Sequence, residues 1–144
     1  MTYAELKQKQ QQEVNEFPLG FAFGNDQFAE MMSEWGLDCD NKEDLRKIVS
    51  IGAGGYVQKK DVPAMEDMFK RHKKELREFR KNKNELKKAI LHEMFNIEYE
   101  YSHDDEHLLN NLGINLNDFS ANEELQKLFK DAEKEYHDSF ILNR

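Results

Sequence analysis

Three glycines within four residues, Gly52-Ala53-Gly54-Gly55, separate two short β-branched runs, Lys47-Ile48-Val49-Ser50-Ile51 and Tyr56-Val57-Gln58. No other stretch constrains the chain so strongly. Glycine reaches the positive-φ backbone that a tight reversal needs, so two strand-like runs joined in this way predict a β-hairpin. Upstream, Phe17-Pro18-Leu19-Gly20-Phe21-Ala22-Phe23 alternates large apolar residues with small ones. That period of two predicts a further strand with its phenylalanine side buried. Its bare Gly20 and Ala22 side leaves room for another backbone or a helix to approach closely. The rest reads as helix. The expected class is α+β: about five helices, including a basic helical hairpin, around a small two- or three-stranded antiparallel sheet. With 144 residues the chain reads as a single domain, 1–144, able to bury a core without staples.

The helices announce themselves by caps and spacing. Thr2 and Glu5 have the T-x-x-E spacing of a capping box, which opens a helix over 2–16. Its apolar stripe (Tyr3, Leu6, Val14) is thin and diluted by glutamine, so it reads as a loose surface helix. Asn25 is the expected cap of a second helix carrying Phe28, Met31, Met32 and Trp35, and Gly36 its C-terminal stop; Asp38 to Asp44 then reads as a polar loop with one helical turn at 41–46. Asp61 and Pro63 open a third, with Val62, Met65, Phe69, His72, Leu76 and Phe79 on one face. Asparagines around 82–84 break it. Leu86, Ile90, Met94, Ile97 and Tyr101 then continue the stripe in a helix over roughly 84–99, with His92 and Glu93 half-buried beside it. A short helix at Leu108–Leu112 follows. A second capping box, Ser120 with Glu123, opens the last helix, lined by Leu125, Leu128, Phe129, Ala132 and Tyr136.

Charge is unevenly laid out. The net charge of −8 resolves into −5 over residues 1–58, +6 over 59–88 and −9 over 89–144. The acidic total disfavours general affinity for nucleic acid, yet the middle concentrates Lys70, Arg71, Lys73, Lys74, Arg77 and Arg80 on the polar side of one helix. Such a stripe can grip a phosphate backbone, dock on a protein, or simply be solvated or paired with the acidic C-terminal helix. The single cysteine, Cys39, leaves no disulfide framework and points to a reducing, cytoplasmic setting. No apolar run reaches the length needed to cross a bilayer.

Taken together, the segments EVNEFPLGFAFGNDQFAEMM, IVSIGAGGYVQKKDVPAMEDM and KKELREF resemble a family of small proteins of unknown function from phages, prophages and related mobile elements of bacteria. The resembling features are Asn15-Glu16-Phe17-Pro18, Ala22-Phe23, Gln27-Phe28, Ser50 to Gly55 and Asp61-Val62-Pro63, across roughly residues 10–110. The resemblance implies a mobile-element setting and brings no catalytic residues with it.

Candidate chemistry is sparse. The Gly52–Gly55 turn leads into a strand rather than a helix, and Walker spacing is absent, so a hairpin is preferred over a phosphate loop. His103-Asp104-Asp105-Glu106-His107 has the look of a metal box. Ser102 or Asp104 reads better as the cap of the Leu108–Leu112 helix, which leaves His103 outside it. Cys39 lies among acids, which disfavours a thiolate nucleophile. The expected function is therefore a non-catalytic, protein-binding accessory module of a phage or mobile element, meeting a host or phage protein. The expected surfaces are the basic face at Lys70, Arg71, Lys73, Lys74, Arg77 and Arg80, and the loop Gly52, Gly54, Gly55 and Tyr56. The alternatives are a nucleic-acid-binding module using the same helix and, third, a small enzyme or nucleotide-binding protein. No cofactor, metal or membrane partner is expected.

Overall fold

The computed structural model describes residues 1–142, the side chains of Ile141 and Leu142 excepted. The elements run α1 (Tyr3–Glu16), β1 (Leu19–Phe21), α2 (Asn25–Glu34), α3 (Lys42–Leu45), β2 (Ile48–Gly52), β3 (Gly55–Gln58), α4 (Val62–Phe79), α5 (Lys83–Asn96), α6 (Tyr99–Ser102), α7 (Asp105–Asn111), α8 (Leu116–Ser120) and α9 (Glu123–Leu142), with one 3-10 turn at Lys59–Asp61. The class is α+β with a three-stranded antiparallel sheet, as expected. The described residues hold nine α-helices rather than about five. The surplus is mostly one-turn helices, α3, α6 and α8, which are too short to show an amphipathic period.

The chain divides into two compact units, Lys9–Arg71 and Met1–Gln8 with His72–Arg144. In the unit Lys9–Arg71 the sheet has the order β1-β3-β2, every pairing antiparallel. β2 and β3 form the expected hairpin, with Gly52 opposite Gly55. Its two loop residues, Ala53 and Gly54, both have positive φ (52° and 76°), as a two-residue loop matched to strand twist requires. β1 pairs with β3 through Leu19 opposite Val57 and Phe21 opposite Gly55.

The strand β1 corrects the sequence reading. Its small-residue side is the packed side. A Cβ on Gly20 would fall 2.5 Å from Met31 Sδ and 2.9 Å from Trp35 Cη2, so α2 lies directly on the glycine. Ala22, Met31 and Met32 form the buried cluster there, with Trp35, Phe28 and Tyr56 packed around it. Phe21 and Phe23, expected inside, are 58% and 75% exposed. The reason is steric: a helix approaches a sheet most closely where side chains are smallest. Gly24, not Asn25, occupies the cap position of α2, and the Gln27 side chain instead accepts from the Phe23 N–H at 2.8 Å. The expected glycine stop is present: the Leu37 N–H donates to Met32 O at 2.7 Å and that of Gly36 to Ser33 O at 2.9 Å.

The unit Met1–Gln8 with His72–Arg144 is helical. α5 and α9 are its most extensive packed pair, and its core includes Ile90, Met94, Leu108, Leu112, Phe129 and Tyr136. Asn82 caps α5 by accepting from the Glu85 N–H at 3.2 Å, so α4 and α5 are two helices rather than one bent one. Three expectations are corrected here. Tyr101 is 81% exposed, because Glu98 turns the chain through positive φ after α5 and brings Tyr99 inward instead. Asn122, not Ser120, caps α9, accepting from the Leu125 N–H at 3.0 Å, while Ser120 ends α8. The predicted capping box of Thr2 and Glu5 is formed (Glu5 N–H to Thr2 Oγ1 at 3.2 Å), but the first turn of α1 is no loose surface helix. Tyr3 and Leu6 are buried.

Candidate functional site

The two expected surfaces fare differently. At the hairpin, the glycines act as seats for apolar side chains. A Cβ on Gly54 would fall 2.5 Å from the Phe23 ring, and one on Gly55 would fall 2.9 Å from Ile51 Cγ1. Phe23 thus leans on Gly54, and Ile51 lies over Gly55, which is itself buried. Phe21 stands across from Gly55 on the neighbouring strand. Together with Ile51, 39% exposed, the two phenylalanines make an apolar surface at the hairpin end. Gly52 lies exposed in the turn beside it. Tyr56 does not belong to this surface. Its ring meets Phe28 edge-on at 5.4 Å, on the side of the sheet that α2 covers. Sequence reasoning placed the hairpin turn correctly but put the phenylalanines inside, although the alternation of Phe21 and Phe23 with Gly20 and Ala22 was the signal for an exposed pair.

On α4 the six candidate cations separate into two groups. Arg71 is committed to Glu13, which receives both of its terminal nitrogens. Arg80 donates Nη1 to the carbonyls of Leu112 (2.9 Å) and Gly113 (3.0 Å), so it closes the C-terminal end of α7. Burial, and next the charge of Arg77, lower its pKa, while Asp118 works the other way. Gly113 is needed there twice over. Its φ is +70°, and a Cβ would meet Arg80 Nη1 at 2.9 Å. Lys70, Lys73, Lys74 and Arg77 are exposed and make no ion pair among the described residues. The acidic C-terminal helix neutralises lysines of α5 instead: Lys83 pairs with Glu124, and Lys87 with Glu135 at 3.1 Å.

Glu93, expected to be half-buried beside His92, is instead a fully buried charged group. It is 3% exposed and accepts from the Tyr3 hydroxyl at 2.6 Å, from Asn111 Nδ2 at 3.0 Å and from Asn96 Nδ2 at 3.3 Å. Three donors satisfy a carboxylate that would otherwise be costly to bury. Burial, and then the hydrogen bond and charge of Glu93, raise the Tyr3 pKa well above the usual tyrosine value. Its neighbour His92, expected half-buried, is exposed and meets the Tyr3 ring edge-on at 5.4 Å. The signal was available: Glu93 lies three and four residues beyond Ile90 and Ala89, on the apolar stripe itself.

The other motifs resolve into local structure. Asp104 caps α7, accepting from the His107 N–H at 3.0 Å, and His103 lies outside that helix in positive φ against Tyr99. Asp105 accepts from the Tyr99 hydroxyl, and burial followed by this bond raises the Tyr99 pKa. Asp38, Cys39 and Asp40 bring their ligand atoms within 4.8 Å of one another. Their geometry is explained by the loop itself: Asp38 Oδ1 accepts from the Asp40 N–H, and Asp44 from the Asp38 N–H, both at 2.9 Å.

A cleft of about 450 Å³ lies in the helical unit, lined among others by Arg80, Lys83, Ile114, Asp118, Leu125 and Leu128. It falls within the size range of small-molecule sites. Among the described residues, no helix is long and apolar enough to cross a membrane.

No curated protein and no solved structure matches the chain. A family model described as a family of unknown function, DUF7659, matches residues 2–135. That match spans nearly the whole chain, which therefore belongs to the DUF7659 family of unknown function.

Proposed function

We propose that this chain is a non-catalytic protein-binding module, an accessory protein of a phage or other mobile element that works in the bacterial cytoplasm. The observation that carries the binding reading is the exposure of Phe21, at the end of β1, and of Phe23, just beyond it, beside the Gly52–Gly55 turn. Single exposed apolar residues are ordinary, but exposed aromatics close together at one end of a sheet mark interaction surfaces. Aromatic side chains also dominate binding energy at protein interfaces because they bury much area with few rotors. The partner is a host or element protein that offers an apolar pocket to the Phe23 ring. The mobile-element setting draws its support from the motif resemblance, and the genes flanking family members test it.

The direct test is capture from host lysate after nuclease treatment, with the wild-type chain and the variant Phe21→Ser/Phe23→Ser. A stoichiometric protein held by the wild type and lost by the folded variant supports the reading. Equal capture by both moves the interface off the sheet.

A second reading, nucleic-acid binding, is favoured by one observation: Lys70, Lys73, Lys74 and Arg77 follow the helical spacing of α4 without ion pairs among the described residues. Three or four phosphate contacts give a log–log salt slope of about −3. Lys73→Glu/Lys74→Glu/Arg77→Glu must then abolish binding. DNA or RNA binding that survives this triple change ends that reading.

A further inference from the structure

The cleft of the helical unit has a floor of Leu86, Ile114, Leu125 and Leu128. Its charged lining balances: Arg80, Lys83 and Lys127 against Asp118, Glu124 and Asp131. Lys83 and Glu124 neutralise each other. The distinctive group is Arg80. Its Nη1 is fixed by two carbonyls, which holds the guanidinium plane in place. Its Nε and Nη2 make no hydrogen bond among the described residues, and neither is a buried orphan, so both donors remain open to a ligand.

We propose that this cleft binds a small aliphatic monocarboxylate, its chain on Ile114, Leu125 and Leu128 and its carboxylate on the Arg80 guanidinium. A guanidinium edge matches the two oxygens of a carboxylate. The balanced lining selects a monoanion: Asp118, Glu124 and Asp131 oppose the second charge of a phosphate. The apolar floor asks for a hydrocarbon body rather than a sugar or a nucleotide. This site is separate from the phenylalanine surface and stands or falls independently of it.

The test is calorimetric titration of the full chain with octanoate, octan-1-ol, octylammonium and inorganic phosphate. Octanoate is expected to bind one-to-one, at least tenfold more tightly than octanol, with no measurable binding of octylammonium or phosphate. Arg80→Lys keeps the charge and loses the planar fork, so octanoate affinity falls at least tenfold. Because Arg80 also supports the end of α7, Leu128→Trp serves as a second variant. It fills the cleft from α9, and the folded variant, checked by circular dichroism, must lose octanoate binding. The proposal is overturned by any of these: no saturable octanoate binding, equal affinity for octanol, phosphate binding as tight as octanoate, or binding that persists in Leu128→Trp.

Discussion

The two units solve the same packing problem in opposite ways. In the helical unit large side chains point inward, and the buried carboxylate of Glu93 is closed by donors from Tyr3, Asn96 and Asn111. In the sheet unit small side chains point inward at β1. Gly20 and Ala22 receive α2, and Phe21 and Phe23 are left to water. The first arrangement is what stability alone favours. The second leaves apolar area exposed that folding would otherwise cover, and a partner docking there would bury it.

Four experiments break or sharpen this contrast. The largest effect is expected from Glu93→Ala, which takes the shared acceptor from the buried Tyr3 hydroxyl and from the Asn96 and Asn111 amides and opens a cavity. It should cost about 3–5 kcal/mol, read by urea denaturation followed by helical circular dichroism. A loss below about 1 kcal/mol would mean that water replaces the carboxylate and that the network is not a closure. Next, Gly20→Ala pushes a methyl into Met31 and Trp35, at a cost of about 1–3 kcal/mol. Fluorescence of Trp35, the single tryptophan, reports it directly. An unchanged midpoint would show that α2 does not rest on the glycine.

The third concerns pH. Tyr3 and Tyr99 both have raised pKa values, so the folded state favours their neutral phenols. Their contribution is complete below the ordinary tyrosine value of about 10 and is lost as pH climbs beyond it. Tyr3→Phe, expected to cost about 1–3 kcal/mol at neutral pH, should also flatten the alkaline fall in stability. An identical alkaline slope in the variant would contradict the assignment. The smallest effect belongs to Phe23→Ser. At 75% exposure it should change stability by no more than about 0.5 kcal/mol while removing partner capture. A large destabilisation would place Phe23 in the structural core of its unit, and the contrast between the units would collapse.

Local chemistry was readable in advance. The Thr2/Glu5 box, the Asn82 and Asp104 caps, the Gly36 stop and the Gly52–Gly55 hairpin all act within a few residues of themselves. Their hydrogen bonds depend on spacing alone. The helical turn expected at 41–46 is α3, but the one-turn helices α6 and α8 were harder, because four or five residues carry no period to count. At the candidate surfaces, the loop and the basic helix were visible as residue types, but their division into committed and uncommitted cations was not. Arg71 and Arg80 look like Lys70 and Lys74 on a helical wheel. Only the arrival of Glu13 and of the Leu112 and Gly113 carbonyls distinguishes them.

Sequence by itself determined several element ends, such as the Thr2/Glu5 box, the Gly36 stop and the Asp104 cap, the antiparallel hairpin, and the concentration of positive charge between residues 59 and 88. The tertiary structure alone decided which side of β1 is inside, that Glu93 is buried, and that Arg80 helps wall a cleft. The physical reason is range. Caps and turns are satisfied by neighbours along the chain. Burial and ion pairing are settled by groups brought from tens of residues away, and a period of two or 3.6 defines two faces without saying which one another element will cover.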